Sequence, residues 1–341
     1  MNGKSEKWLY FFNILVSRLV NAGKRPERVK PENILIIKWD EIGDMATAAH
    51  VFQLLRKRFP EAQIDLITKP HSAGLVRFDA ALNHIYTQIE DWKKPYDLHV
   101  ELRGTWKTLF RTFRYFPRYR LDRGLVRFKQ RGNQPHETVT NYRIVEPVLG
   151  GMPSLPPNLF VGVESGKVLT EWLKNEGIES PFVVIHPGAR SLLRRWPAER
   201  FAELADWLCQ EHKLAVVFTG SSDEMDLLQS IKGQMKHSST IYMGELECLP
   251  ALIDACCLYV GNESGPLQIA DALKKPALGI FGPGVKDVFY PFQSDQSRVL
   301  HHILECNPCD QVHCVRADKP CIALVTVEEA KTAILQMLKS A

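Results

Sequence analysis

At 341 residues, with 45% hydrophobic and 24% charged side chains, the chain has the composition of a globular protein with room for two domains. No apolar run reaches the ~20 residues that span a bilayer, and the apolar content is too high for a disordered chain. Residues 1–150 hold 26 Lys and Arg against 16 Asp and Glu, which leaves 17 against 23 beyond them, a net of +10 followed by −6, so an anionic partner is expected for the first part only.

The opening lacks the charged start, apolar core and small-residue cleavage site of a secretory signal. All eight cysteines fall after residue 200, which fits a reducing cytoplasm with free thiols. In residues 1–30, Trp8, Phe11, Phe12, Leu15 and Leu19 recur at helical spacing and Lys24, Arg25, Arg28 and Lys30 follow. An amphipathic helix lying on an anionic membrane surface has this pattern. A helix packed on the protein's own surface has it too, because periodicity is the same in both.

Strand and helix patterns then alternate: ILIIKW, a helix near 45–58 ended by Pro60, IDLIT, a helix near 71–82, HIYTQI and DLHVEL. Short polar connections between such elements predict a doubly wound parallel sheet. The first strand-to-helix join carries Asp40, Glu41, Gly43 and Asp44. Three acids argue against a phosphate turn there, since a helix N-terminus attracts anions. Asp44 is either a helix cap or a base at the carboxyl end of a strand, where open parallel sheets bind ligands; this segment by itself leaves both open.

From Arg103 to Arg131 ten basic residues are interleaved with Phe110, Phe113, Tyr115, Phe116 and Tyr119, with Asp122 the only acid. Such a run suits nucleic acid, but no recognised nucleic-acid module frames it. A solvated basic face and a non-nucleic anionic partner are the other readings. The alternation weakens after residue 132, and the interdomain connection is placed at 166–180.

A second alternation follows: FVVIHPG, helix 198–211, LAVVFTGS, helix 222–234, TIYMG, helix 247–255, LYVGNESG, helix 265–273 and PALGIFGPG. A right-handed parallel sheet gathers the turns after these strands at one edge. Gly188 permits close backbone approach there, and Arg194 and Arg195 offer guanidinium forks for a pyrophosphate. Gly220 precedes a helix start containing Glu224, whose carboxylate suits ribose hydroxyls. Ser264 and Gly265 open another helix with Pro266 in its first turn. Cys306, Cys309, Cys314 and Cys321 are spaced by two, four and six residues. Four thiolates around zinc would need such a cluster, but zinc sites more often pair two short knuckles and only one is present. Packed free thiols are the expectation, with no metal.

The blocks ILIIKWDEIGDMATAAHVFQLLRKRFPEAQIDLIT, VVIHPGARSLLRRWPAERFAELADWL, VVFTGSSDE, YVGNESGPLQIADALKKPALGIFGPG and CNPCDQVHC follow one another in an order and spacing that resemble glycosyltransferase family 9, the heptosyltransferases of bacterial lipopolysaccharide assembly. The resemblance implies a GT-B fold of two Rossmann-like domains facing a cleft: residues 31–165 for the acceptor, 181–325 for the donor, and a last helix within 326–341 that packs back on the first domain. It implies inverting transfer of a heptose from ADP-heptose to a lipopolysaccharide inner core or related anionic glycolipid, without metal or cofactor. Asp44 would be the catalytic base. Arg194 would take the place of the family's phosphate-binding Lys, and Glu224 that of its ribose-binding Glu. Glu263, Ser264 and Gly265 would stand for its Asp-Thr/Ser-Gly turn, and Gln268 for the His that follows. Changes from Lys to Arg, Asp to Glu and His to Gln keep a different nucleotide sugar, or a non-catalytic binder, as alternatives. An anionic glycolipid would satisfy the basic stretch, with Arg103, Arg111, Arg114 and Arg118 as its binding residues and no nucleic-acid partner. Such an enzyme would be cytoplasmic, peripheral on the inner face of the inner membrane.

Overall fold

The computed structural model describes residues 3–130, 134–179, 181–292, 297–309, 311 and 313–339, so Met1, Asn2, Arg131, Ser340 and Ala341 lie outside the described residues. It divides into two compact units, Met1–Leu159 and Phe160–Ala341.

In the first unit the order is α1 (Gly3–Asn21), β1 (Asn33–Lys38), α2 (Ile42–Ala46), α3 (His50–Arg58), β2 (Gln63–Thr68), α4 (Pro70–Val76), β3 (His84–Tyr86), β4 (Leu98–Arg103), α5 (Trp106–Arg114), β5 (Tyr119–Asp122), α6 (Arg123–Lys129) and α7 (Glu137–Val145). All strand pairings are parallel, in the order β3-β2-β1-β4-β5. Ile34, Leu35, Ile36 and Ile37 are wholly buried, as a strand covered on both faces requires. The helix read over 45–58 is two, α2 and α3. The one read over 71–82 stops at Val76, because the chain then turns to set the Asn83 side chain on the Ile64 amide, 2.8 Å away, and Asp79 on the Ala81 amide, 2.9 Å away.

The basic run is not one face but α5, β5 and α6. Thr105 and Thr108 form a capping box that starts α5. Arg120 points inward from β5, where its guanidinium donates to Glu101, to the Asn13 side chain and to Ser17 Oγ at 2.7 Å. These partners tie α1 to the sheet, and Leu9, Val16 and Val20 of α1 pack with Leu109 of α5. Trp8, Phe11, Phe12, Leu15 and Leu19, the stripe singled out in the sequence, lie on the opposite, exposed side of α1.

The second unit runs α8 (Val163–Asn175), β6 (Phe182–His186), α9 (Ala198–His212), β7 (Ala215–Thr219), α10 (Met225–Gln234), β8 (Thr240–Tyr242), α11 (Leu249–Ala255), β9 (Leu258–Asn262), α12 (Gly265–Ala272), β10 (Ala277–Phe281), α13 (Lys286–Phe289), β11 (Arg298–His301) and α14 (Val327–Lys339). Its parallel sheet has the order β11-β10-β9-β6-β7-β8. Most of the connection placed at 166–180 is helix α8 of this unit: Leu169 is buried and Trp172 meets Tyr242 edge-on at 4.7 Å. The C-terminal helix also packs within this unit. Val327, Ala330, Ala333, Ile334 and Met337 belong to the core formed by α9 and the second sheet, so the apolar face of α14 is spent inside its own unit.

Each sheet winds outward in both directions from one pair of central strands. That switch point lies between β1 and β4 in the first unit and between β6 and β9 in the second. Crevices for ligands form at the carboxyl ends of such pairs, since the flanking helices diverge there.

Candidate functional site

At the switch point of the first unit, Lys38 ends β1 fully buried and pairs with Asp40 at 3.3 Å. Arg103, the last residue of β4, approaches the same carboxylate at 3.9 Å. Burial works to raise the Asp40 pKa, but Lys38, Arg103 and Arg123 together hold it below the usual range. Glu41 turns the other way, to Lys69 and, at 3.1 Å, to His71. Glu41 is also the N-cap of α2, where no side-chain cap bond forms. The Asp44 carboxylate therefore does not cap the helix, and it has no hydrogen-bonded partner among the described residues. Burial is the main cause that pushes its pKa up to about 6, and Asp40 and Glu137 add to this against the pull of Lys38 and Arg123. Of the two acids that precede it in the turn, Asp40 contributes to this shift and Glu41 does not.

Behind Asp44 sits a buried pair that sequence reasoning missed. Arg123, at the start of α6, forks onto both oxygens of Glu137, and Arg127 joins at 2.9 Å. Burial opposes ionisation of Glu137, yet Arg123 holds it down at about 2. Nothing in the sequence pairs these residues, which come from separate helices.

The remaining basic residues named for acceptor binding have contacts of their own. Arg111 donates to the carbonyl of Trp92 at 2.6 Å and of Glu90 at 3.3 Å. Arg114 lies over the Tyr115 ring, and Arg118 pairs with Asp97 at 3.1 Å while remaining exposed. Of the four, only Arg103 meets the Asp40–Asp44 turn.

At the switch point of the second unit the expected donor residues do converge. His186 ends β6, and its ring lies 3.3 Å from Ser264 Oγ on one side and 3.6 Å from Glu224 on the other. Glu224 accepts from the Ser221 amide at 2.9 Å and pairs with Arg195 at 3.7 Å. Burial tends to raise its pKa, but His186 and Ser221 hold it at about 2. Gly188 and Gly220 leave the space this carboxylate fills: a Cβ on Gly188 would lie 2.0 Å from it, and one on Gly220 3.1 Å. Arg194 pairs with Glu263 at 3.3 Å and donates to the Gln311 side chain. Burial raises the Glu263 pKa against Arg194, and its second oxygen has no partner among the described residues. Asn262, which the sequence reading did not single out, locks the turn by accepting from the Trp196 amide at 3.1 Å and donating to the Pro187 carbonyl at 2.8 Å. Helix α12 begins at Gly265 with Pro266 next, and Ser264 as N-cap makes no side-chain cap bond. Gln268 is turned to the Phe289 carbonyl at 2.6 Å. This edge can hold an anion between two arginines and a helix start, and a diol against Glu224.

Cys306, Cys309, Cys314 and Cys321 are free thiols that line one cavity of about 370 Å³ with His313. Among the described residues no group of three or more His, Cys, Asp or Glu side chains is arranged to hold a metal ion.

Residues 151–319 match the family model of glycosyltransferase family 9 (heptosyltransferase). The lipooligosaccharide heptosyltransferase 2 of Haemophilus influenzae is 24% identical over 310 residues, which cover 80% of this chain and 89% of that protein. The protein of the same name from Campylobacter jejuni is 26% identical over 161 residues, and the chain spans only about half of its length, 50%. Among solved structures, a family 9 glycosyl transferase from Veillonella parvula superposes with a TM-score of 0.78 at 17% identity, over 91% of this chain and 98% of that one. E. coli ADP-heptose lps heptosyltransferase II gives 0.73 at 20% identity, over 90% and 99%. The two doubly wound units therefore make up a fold of the GT-B type.

Proposed function

The chain belongs to glycosyltransferase family 9, and on that footing we propose that it is an inverting, metal-independent heptosyltransferase. Its donor is ADP-heptose and its acceptor a lipopolysaccharide inner core or related anionic glycolipid, met from the cytoplasmic side of the membrane. The observation that carries the reading is Asp44: a carboxylate at a topological switch point, free of any capping duty, with a pKa near 6.

In the proposed reaction Asp44 accepts the proton of the acceptor hydroxyl as that oxygen bonds to the anomeric carbon. The bond from that carbon to the diphosphate oxygen breaks on the opposite face, and its electron pair leaves with ADP. A base whose pKa lies close to the working pH is suited to this, and positioned proton transfer contributes ~10²–10⁴-fold. Arg194, Arg195 and the amides that start α12 stabilise the leaving diphosphate in place of a metal. Glu224 takes the ribose hydroxyls, with Gly188 and Gly220 keeping its place clear. Ser264, Gly265 and Gln268 border the sugar, and Arg103, Arg111, Arg114 and Arg118 bind the anionic acceptor. The pairing of Arg194 with Glu263, and the turning of Gln268 to a backbone carbonyl, favour a second reading in which the family reaction uses a different nucleotide sugar.

Calorimetry with ADP-heptose, ADP, UDP and GDP, with and without EDTA, tests the donor. Tight EDTA-insensitive binding of ADP-heptose is expected. Preference for UDP or GDP would move the assignment to the second reading, and binding of none would remove the donor site.

A further inference from the structure

Helix α1 carries two apolar stripes, and only one is used by the fold. Leu9, Val16 and Val20 are buried against the first unit. On the other side Trp8 is 59% exposed, Phe11 49%, Phe12 42%, Leu15 45% and Leu19 66%. The stripe continues onto α5. Trp8 meets Phe11 at 6.0 Å between ring centroids, Phe11 meets Phe12 at 5.7 Å, Phe12 meets Trp106 at 5.6 Å, and Trp106 meets Phe110, 66% exposed, at 6.4 Å. Five rings in succession along a protein surface are far more than the scattered apolar residues every surface shows.

Charge identifies what covers this surface. Beyond the end of α1 an open cavity of about 570 Å³ is lined by Lys24, Arg25, Arg28, Lys30 and Arg118, with Asp97 as the acid among its lining residues. Lys24 donates to the carbonyls of Val20 and Arg118 and so joins the cavity to the helix end. Among the described residues no helix is long and apolar enough to cross a membrane. Aromatic rings along a helix fixed to the protein surface, with a basic pocket at the end of that helix, match the acyl boundary and phosphate layer of an anionic leaflet.

We propose that the outer face of α1 with the adjoining end of α5 is a docking surface for an anionic phospholipid membrane. The rings enter the interface and the Lys24–Lys30 pocket takes lipid phosphate. The proposal deepens the reading of a glycolipid acceptor by naming the surface that holds the protein to the membrane. The docking itself needs neither donor nor acceptor.

The test is co-sedimentation of the full chain with vesicles of phosphatidylcholine, alone or mixed equally with phosphatidylglycerol. The wild type is expected to bind the anionic vesicles and not the neutral ones, with binding that weakens as salt is raised. W8S/F11S/F12S is expected to lose binding by at least ~tenfold, and R25Q/R28Q/K30Q to lose it mainly at low salt. Trp8, Phe11 and Phe12 are each about half exposed, and none of the substituted side chains belongs to the core, so both variants should keep the wild-type circular dichroism spectrum at the assay temperature. Equal binding by wild type and W8S/F11S/F12S would overturn the proposal, as would failure of the wild type to bind. A dimer that W8S/F11S/F12S converts to monomer, without vesicle binding, would assign the face to a second copy instead. Transfer to a detergent-dispersed acceptor separates the two readings. Vesicle binding without transfer from any nucleotide sugar would leave the docking surface standing and remove the proposed reaction.

Discussion

Gly188 lies flush against the carboxylate of Glu224, so that a Cβ at residue 188 would fall 2.0 Å from Oε1. That carboxylate is held in place by the Ser221 amide, His186 and Arg195, so moving it aside breaks those contacts. The substitution Gly188→Ala is expected to weaken ADP binding by ~10-fold or more while leaving secondary structure intact, because it displaces one hydrogen-bonding group rather than the sheet. Isothermal titration of wild type and variant with ADP measures this.

Asp44 sets two expectations of opposite sign. Since its folded pKa is about 6, kcat/KM should rise with pH through that value, falling ~tenfold per unit below it, and Asp44→Asn should lose ~10²–10⁴ in kcat. A carboxyl whose pKa is raised on folding contributes stability that is complete below its unfolded value and lost as pH rises through about 6. Asp44→Asn should therefore be more stable than wild type by ~1–3 kcal/mol near neutral pH, with the gain vanishing in acid. Denaturant unfolding across the pH range checks the second expectation without any substrate.

Arg120 and Glu101 are both buried, and Arg120 also fastens α1 through Asn13 and Ser17. Replacing Arg120 by Met leaves Glu101 and the Asn13 side chain without their partner, so a loss of ~3–5 kcal/mol is expected. Proteolysis within α1 should become faster at the same time, and both effects are readable by urea unfolding and limited digestion.

Arg194 reaches Glu263 in the ground state and is proposed to hold the diphosphate. Arg194→Ala is expected to reduce ADP affinity by ~10–100-fold, as the loss of one charge-assisted contact predicts. If ADP affinity were unaltered, Arg194 would belong to the buried Glu263 only.

The triple change Arg111→Gln, Arg114→Gln and Arg118→Gln should raise the acceptor KM with ADP affinity unaltered. Arg111 is anchored to the Glu90 and Trp92 carbonyls, so Arg111→Gln alone should also lower the melting temperature. An unchanged acceptor KM in the triple variant would show that these residues do not bind the acceptor.

The order of strands and helices was legible from the chain because short β-branched runs such as ILIIK and FVVIH, bounded by turns, fit strands buried on both faces, and the intervening helices carry a 3.6-residue period. The donor edge was legible for a related reason. Gly188, Gly220, Ser264 and Gly265 each stand within three residues of a strand end, and a parallel sheet brings such turns together whatever the details of packing. Tertiary structure decided the rest. Arg120 and Arg123 read as members of one basic surface run, yet both are buried against acids on other elements, Glu101 and Glu137, since charge counts carry no information about direction. Helix α1 shows apolar residues on two stripes, and only the partners on β5, α5 and α6 determined that Leu9, Val16 and Val20 pack inward while Trp8, Phe11 and Phe12 face out. The same holds for Asp44: the sequence placed a carboxylate at a strand end, but whether it capped a helix or stood free with a raised pKa depended on its burial first, and then on Asp40 and Glu137 acting against Lys38 and Arg123. Local pattern determines which element forms, and burial, which depends on residues distant in the chain, determines what each charged side chain becomes.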